Sequence, residues 1–228
     1  MSGPDSKFTN DGKIGLFFLS DGGELTTTSK SEIKYAHFTV SPYTTQNGYP
    51  IESQTFRNYG HIRRLETTTG YPCVWTTYSG NVMNCQGGSI GYAYLWGLTD
   101  FRNESNASVS HVYIMEHTGR FVNEGYAYSV SLGSGRVENS GTIESLFLSN
   151  NGILNNKRGR IDTLYIYNNG GTIEALGDVG EIIYRDLADA GADEGVIDEC
   201  YVDEGFSDNA VMDDVDWQDA APLGEQVW

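Results

Sequence analysis

Helix signals are missing from this chain of 228 residues. No long stretch keeps apolar residues at three-and-four spacing, the pattern by which a helix buries one face. Proline is scarce, with 5 residues, and cysteine scarcer, with 3. Cys73, Cys85 and Cys200 make no C-x-x-C and leave an odd thiol, so neither a disulfide framework nor a zinc site is implied. No apolar run is long enough to cross a bilayer as a helix. The opening MSGPDSKFTNDGK lacks the apolar segment of a signal peptide. The expectation is an intracellular chain, one that leaves the cell without a cleaved signal (as virions do on lysis), or a piece of a longer secreted protein.

Positive charge is the next shortage. Against 31 Asp and Glu stand 14 Lys and Arg, for a net charge of −17. Phosphate contact needs clustered Lys and Arg, so a nucleic-acid-binding surface is not expected. Beyond Arg185 the chain has no Lys or Arg at all. Catalytic patterns are equally thin. There is no P-loop, no G-x-S-x-G elbow and no convincing G-x-G-x-x-G. Ser31 and Lys34 match S-x-x-K without the motifs that accompany it in β-lactamase-like enzymes. His37, His61, His111 and His117 show no metal-ligand spacing. Asn103 and Asn106 begin N-x-S sequons, which matter only on a eukaryotic secretory route.

What is present is glycine (28), tyrosine (15) and many Asn, Ser and Thr, a composition of strands and tight turns. The chain also repeats itself. Written as apolar-x-Asn-x-Gly-x-Ile-x-x-Leu-x-Leu, the phrase is carried by Val137, Asn139, Gly141, Ile143, Leu146 and Leu148. Copies begin at Phe8, Phe56, Phe121 and Leu154, with partial ones at Gly177, Gly195 and Phe206 and weaker ones at Ile33, Ile90 and Val109. From Gly88 onward the period is that of one β-solenoid coil.

Parity gives the shape. From the first apolar residue to Ile, alternate side chains face one way, as in a strand. Two residues then separate Ile from Leu, and that break reads as a corner before a second strand, Leu-x-Leu, facing the same interior. A single coil cannot bury its inner face, but a stack can. The inward Asn must find partners, and stacked copies offer an amide ladder. Gly at the next inward position suits a bend where no side chain fits. The expected architecture is all-β: a single-stranded parallel β-solenoid (β-helix) of about eleven or twelve coils. The solenoid spans 1–217, with looser, loop-containing coils at about 39–87, and 218–228 form a C-terminal arm or cap.

These residues resemble the parallel β-solenoid repeats of filamentous haemagglutinin-like and autotransporter-passenger adhesins, and the β-helical parts of phage tail fibres and tailspikes. The resemblance implies an elongated scaffold on a virion, outside the cell or at its surface. Its implied role is non-catalytic: a structural or adhesive surface protein such as a fibre, spike or decoration protein. The chain departs from the adhesins in its length and in lacking a secretion signal.

The outer faces carry the candidate contacts. The middle residue of Leu-x-Leu points outward, giving Phe18, His37, Tyr94, Tyr113, Ser131, Phe147, Tyr165, Ile183, Tyr201 and Asp216 coil by coil. Neighbouring coils lie about 4.8 Å apart, so the rings are expected to form a stripe. Phe18, Tyr94, Tyr113, Phe147, Tyr165 and Tyr201 are the expected binding residues. The expected partners are further copies of the chain (a homo-oligomer, for instance a trimer), a virion or cell-surface protein, or a glycan.

A second row follows the core Ile: Glu144 and Ser145, Asp162 and Thr163, Gly180 and Glu181, Asp198 and Glu199, Asp213 and Asp214. Such carboxylates would supply part of the six to eight oxygens that Ca2+ takes, though no cofactor is required. They also define the competing reading. That reading is a β-helical hydrolase or lyase acting on polysaccharide, with Glu144, Asp162 and Glu181 as acid and base.

Overall fold

The computed structural model describes residues 7–20, 23–40, 55–69, 80–96, 99–114, 119–167 and 170–185. These form eighteen strands and no helix. One parallel sheet stacks β1 (Lys7–Asn10), β3 (Glu24–Thr27), β5 (Thr55–Asn58), β7 (Gly80–Asn84), β9 (Thr99–Asn103), β11 (Arg120–Asn123), β13 (Arg136–Asn139), β15 (Ile153–Asn155) and β17 (Thr172–Ala175) in that order. The facing sheet stacks β2 (Lys13–Ser20), β4 (Glu32–Val40), β6 (His61–Thr69), β8 (Ser89–Leu95), β10 (Ser108–Ile114), β12 (Tyr126–Leu132), β14 (Thr142–Leu148), β16 (Arg160–Tyr167) and β18 (Asp178–Arg185). Each odd strand and the even strand after it form one rung, so the described chain is a parallel β-solenoid of nine rungs.

Nine is fewer than eleven or twelve. All nine phrase copies from Phe8 to Gly177 are rungs. The copies at Gly195 and Phe206, like Tyr201 and the 218–228 arm, lie outside the described residues. In the stretch expected to be looser, β5, β6 and β7 are regular strands, while 41–54 and 70–79 lie outside the description.

The corner sits elsewhere than the parity break. The chain changes sheet at Asn-x-Gly, between β13 and β14 for example. Ile-x-x-Leu-x-Leu is one strand with a kink: Ile143 pairs with Ile161 and Ser145 with Thr163 in one unbroken register, while Glu144 and Asp162 between them form no ladder pair. The physical reason is local. The Asn side chain folds back onto its own turn, as Asn58 Nδ2 donates to Gly60 O at 3.1 Å and Asn123 Nδ2 to Gly125 O at 3.3 Å. Among the described residues no side chain within Ile-x-x-Leu folds back onto its own backbone in this way, so ladder bonds to both neighbouring rungs carry the strand through.

The core lies between the sheets. The odd strands contribute one column, Leu25, Phe56, Val82, Phe101, Phe121, Val137 and Leu154, each 2 % exposed or less. The even strands contribute the Ile and the two Leu positions of the phrase, such as Ile143, Leu146 and Leu148, all 0 % exposed. Beside this apolar stack runs the amide ladder. Asn58 donates to Asn84, Asn84 to Asn103, Asn103 to Asn123, Asn123 to Asn139 and Asn139 to Asn156, each Nδ2 to Oδ1 at 2.8–2.9 Å. Thr27 Oγ1 supplies the first donor to Asn58 at 2.8 Å, and Asn156 donates onward to Leu176 O at 2.6 Å. Each buried amide therefore has partners on both sides, as burial demands. Asn103, the first residue of one sequon, is a ladder member at 0 % exposure, whereas Asn106 is exposed in the turn that follows.

Candidate functional site

The two outer faces differ in chemistry. On the odd-strand face, arginines alternate with glutamates: Arg57 with Glu24, Arg120 with Glu138 at 2.7 Å, and Arg136 with both Glu138 at 2.9 Å and Glu174 at 2.6 Å. Arg120 holds the Glu138 carboxyl below its ordinary value, and Arg136 does the same to Glu174. These cations are engaged in a ladder of ion pairs, which suits a solvated side.

The even-strand face carries the aromatic row. Strand pairing places Phe18, His37, Glu66, Tyr94, Tyr113, Ser131, Phe147, Tyr165 and Ile183 in one register column. None of them belongs to the apolar core cluster. The row is not one unbroken stripe. In-register pairing sets Glu66 between His37 and Tyr94, and Ser131 separates Tyr113 from Phe147. Two tight stacks result, Tyr94 on Tyr113 at 4.8 Å and Phe147 on Tyr165 at 4.5 Å, with interplanar angles of 9° and 3°. Rings stacked so closely shield one another: Phe18 is 53 % exposed, Tyr94, Phe147 and Tyr165 are half-buried, and Tyr113 is only 2 % exposed.

The column just before the row, which the acidic-row reading touches only at Ser145, Thr163 and Glu181, carries a second cluster in its earlier rungs. Tyr35, Arg64, Tyr92 and His111 are consecutive in it. Tyr92 stacks on His111 at 4.8 Å, and exposed Tyr128 meets the edge of His111 at 5.7 Å. The Arg64 guanidinium lies 4.5 Å from the Tyr94 ring centre and 5.9 Å from that of Tyr35, a cation–π arrangement. The Tyr35 hydroxyl donates to Glu66 Oε2 at 2.7 Å and lies 3.1 Å from His37 Nδ1. The signal is in the sequence: these residues occupy the position immediately before the first Leu of the phrase, which the acidic-row reading follows only from Ser145 onward.

Burial pushes the His37 pKa down, against a smaller upward pull from Glu66. A histidine held neutral in the fold takes up its proton more readily when unfolded. Stability is therefore expected to fall as pH drops below the ordinary histidine value of about 6.5. Chemical denaturation of the chain and of His37→Gln between pH 7.5 and pH 5 checks this, and the variant should show the shallower loss.

The acidic row is placed in two adjacent columns. Glu144 and Asp162 share the kink column with Gly180, whereas Glu181 pairs with Thr163 in the next. Glu144 accepts the Tyr126 hydroxyl, which pushes the Tyr126 pKa up to about 12. Asp162 accepts Arg160 Nε at 2.6 Å. Each carboxylate is thus bonded to a donor rather than sharing a proton with its neighbour. Among the described residues no three His, Cys, Asp or Glu side chains group as metal ligands. Asp198, Glu199, Asp213 and Asp214 lie outside the described residues. Cys85 is buried, and burial pushes its thiol pKa up, the state of a packed rather than a nucleophilic cysteine.

Fold and faces together define a parallel β-solenoid with one ion-paired side and one aromatic side. No protein-family model, curated protein or solved structure matches the chain.

Proposed function

We propose that the chain is a non-catalytic structural and adhesive surface protein, a virion component of the fibre, spike or decoration kind, in which the aromatic face makes the contact. The observation that carries this reading is the in-register set of stacked rings on one outer face of an amide-laddered solenoid. A stack fixed by six ladder amides holds its surface groups at constant spacing, the property a fibre or docking module needs. Large rings on a sheet face are apolar enough to drive association, while Tyr hydroxyls add hydrogen bonds. Self-association through this face into a closed oligomer comes first, because the stacked pairs Tyr94–Tyr113 and Phe147–Tyr165 set rigid apolar edges on one side of the solenoid. Virion or cell-surface proteins and glycans are the remaining partners.

The polysaccharide-degrading alternative draws no support from Glu144 and Asp162, each held by a hydrogen-bond donor. The test is solution mass by light scattering, on the chain and on Tyr165→Glu. The expected result is a closed oligomer that the variant converts to monomer with an unchanged circular dichroism spectrum. An oligomer that survives Tyr165→Glu and Phe147→Glu would remove the face from the contact. Glycan cleavage abolished by Glu144→Gln would establish the enzyme instead.

A further inference from the structure

Among the described residues β1 and β2 are the first strands of their sheets, and β17 and β18 the last. Each of the four keeps one ladder edge unpaired there, a row of backbone donors and acceptors that a further parallel strand can take up. The β17–β18 end also brings core positions to the surface: Ile173 is 38 % exposed, Ile182 37 % and Tyr184 78 %. At the β1–β2 end Phe8 stacks on Phe17 at 5.4 Å, and Phe8 and Ile14 are partly buried.

The two ends match position by position. In the odd-strand sheet, pairing carries one core column from Phe8 at its head to Ile173 at its foot. In the even-strand sheet two more run from Ile14 to Val179 and from Phe17 to Ile182, and an outer column runs from Lys13 to Asp178. Lys13 reaches Glu32 of the next rung at 2.8 Å, and Arg160 reaches Asp178 at 3.9 Å. The Lys13 and Asp178 side chains are 84 % and 68 % exposed. Set foot to head, that column reads Arg160, Asp178, Lys13, Glu32, and the charges alternate across the junction. Gly180 and Gly15 hold the kink position of the two rungs, so no side chain obstructs the approach there.

We propose that the β17–β18 end of one copy seats on the β1–β2 end of the next, joining chains head to tail. The interface is heterologous, and because the rungs continue along one axis it generates an open filament rather than a ring. Two β17–β18 ends are the poorer match, because they set Glu174, Asp178 and Glu181 of one copy against the same carboxylates of the other. The amide ladder does not depend on the junction. Asn156 donates to Leu176 O and Asp178 O, and Asn10 donates to Gly12 O. A separated copy therefore keeps its ladder, and assembly follows concentration.

The experiment is light scattering across protein concentration, with electron microscopy, on the full chain and on Tyr165→Glu, in which the aromatic face is disabled. The expected result for both is unbranched rods and a mass that rises with concentration without levelling at a fixed stoichiometry. Lys13→Glu and Asp178→Lys should each raise the onset concentration about tenfold or more, since like charges then meet at the junction. An equimolar mixture of the two variants should bring the onset back, because each foot then finds a head of opposite charge. Mixing cannot repair a folding defect, so the rescue is specific to the junction. A mass independent of concentration would overturn the proposal, as would an onset that neither variant moves or that mixing fails to restore. Rods dissolved by Tyr165→Glu alone would also overturn it, by assigning the contact to the aromatic face.

Discussion

Asn123→Leu is expected to lower the unfolding free energy by about 3 kcal/mol, since each buried polar group left without a partner costs roughly 1–3 kcal/mol. At this chain length the corresponding fall in melting temperature is roughly 6–12 °C. The size of the effect comes from position. Asn123 is 0 % exposed and stands in the middle of the ladder. Its amide accepts from Asn103 at 2.8 Å and donates to Asn139 Oδ1 at 2.9 Å and to Thr142 O at 3.1 Å. Leucine fills the volume but leaves the Asn139 and Thr142 oxygens facing hydrocarbon. Asn123→Asp is the harsher change, because a carboxylate then meets three acceptor oxygens, those of Gly125, Asn139 and Thr142, in a water-excluded column. Asn10→Leu is the control. Asn10 is bonded within its own turn, to Gly12 O at 3.0 Å and from Gly12 N at 3.1 Å, and its register partner is Thr27 rather than another asparagine. Its loss should cost only about 1 kcal/mol, the net worth of an ordinary hydrogen bond. Urea titration of the three variants decides the matter. Equal losses at Asn123 and Asn10 would mean that the ladder adds nothing beyond local turn bonds.

The solenoid was legible because its signals are periodic and local. Val137, Asn139, Gly141, Ile143, Leu146 and Leu148 recur closely enough for one copy to predict the environment of the next. What escaped did so for identifiable reasons. Asn84 and Asn103 are separated from their turn residues by longer loops, Cys85–Gly88 and Glu104–Ala107, so they broke the written phrase and were not counted in the ladder. Asn103 was read instead as the start of a sequon. The sheet change was assigned to Ile-x-x-Leu because side-chain parity reports which way residues face, not where the backbone turns; the side-chain bond from Asn to Gly decides that. For the candidate face, position in the phrase located Tyr94, Tyr113, Phe147 and Tyr165 on the outside. It could not show that stacking would bury Tyr113, nor that Tyr35, Arg64 and Glu66 would join across two rungs, because those contacts depend on rotamers.

The second large effect concerns the glycine of the same phrase, where one substitution should have opposite outcomes at two positions. Gly141→Ala is expected to destabilise by about 3 kcal/mol or more, the upper range for overpacking. A Cβ at Gly141 would run into the Gly125 carbonyl oxygen and lie 2.6 Å from the Glu124 carbonyl carbon and 2.8 Å from the Gly125 nitrogen. All three are backbone atoms, so no rotamer change relieves the clash and the rungs themselves must separate. That separation would strike the bond from Thr142 N to Gly125 O at 2.9 Å and the amide step from Asn123 to Asn139 together. Gly12 holds the same place in the first described rung, yet a Cβ there meets nothing within 4 Å. Gly12→Ala should therefore be neutral or stabilising by about 0.4–1 kcal/mol, through the lower entropy of the unfolded chain. The pair separates two explanations of the recurrent glycine. If both changes destabilise, the glycines serve the turn conformation and would be needed in an isolated rung. If only Gly141→Ala does, they serve close stacking. Rung spacing is then the property under constraint, and the ring stacks on the outer face depend on it directly.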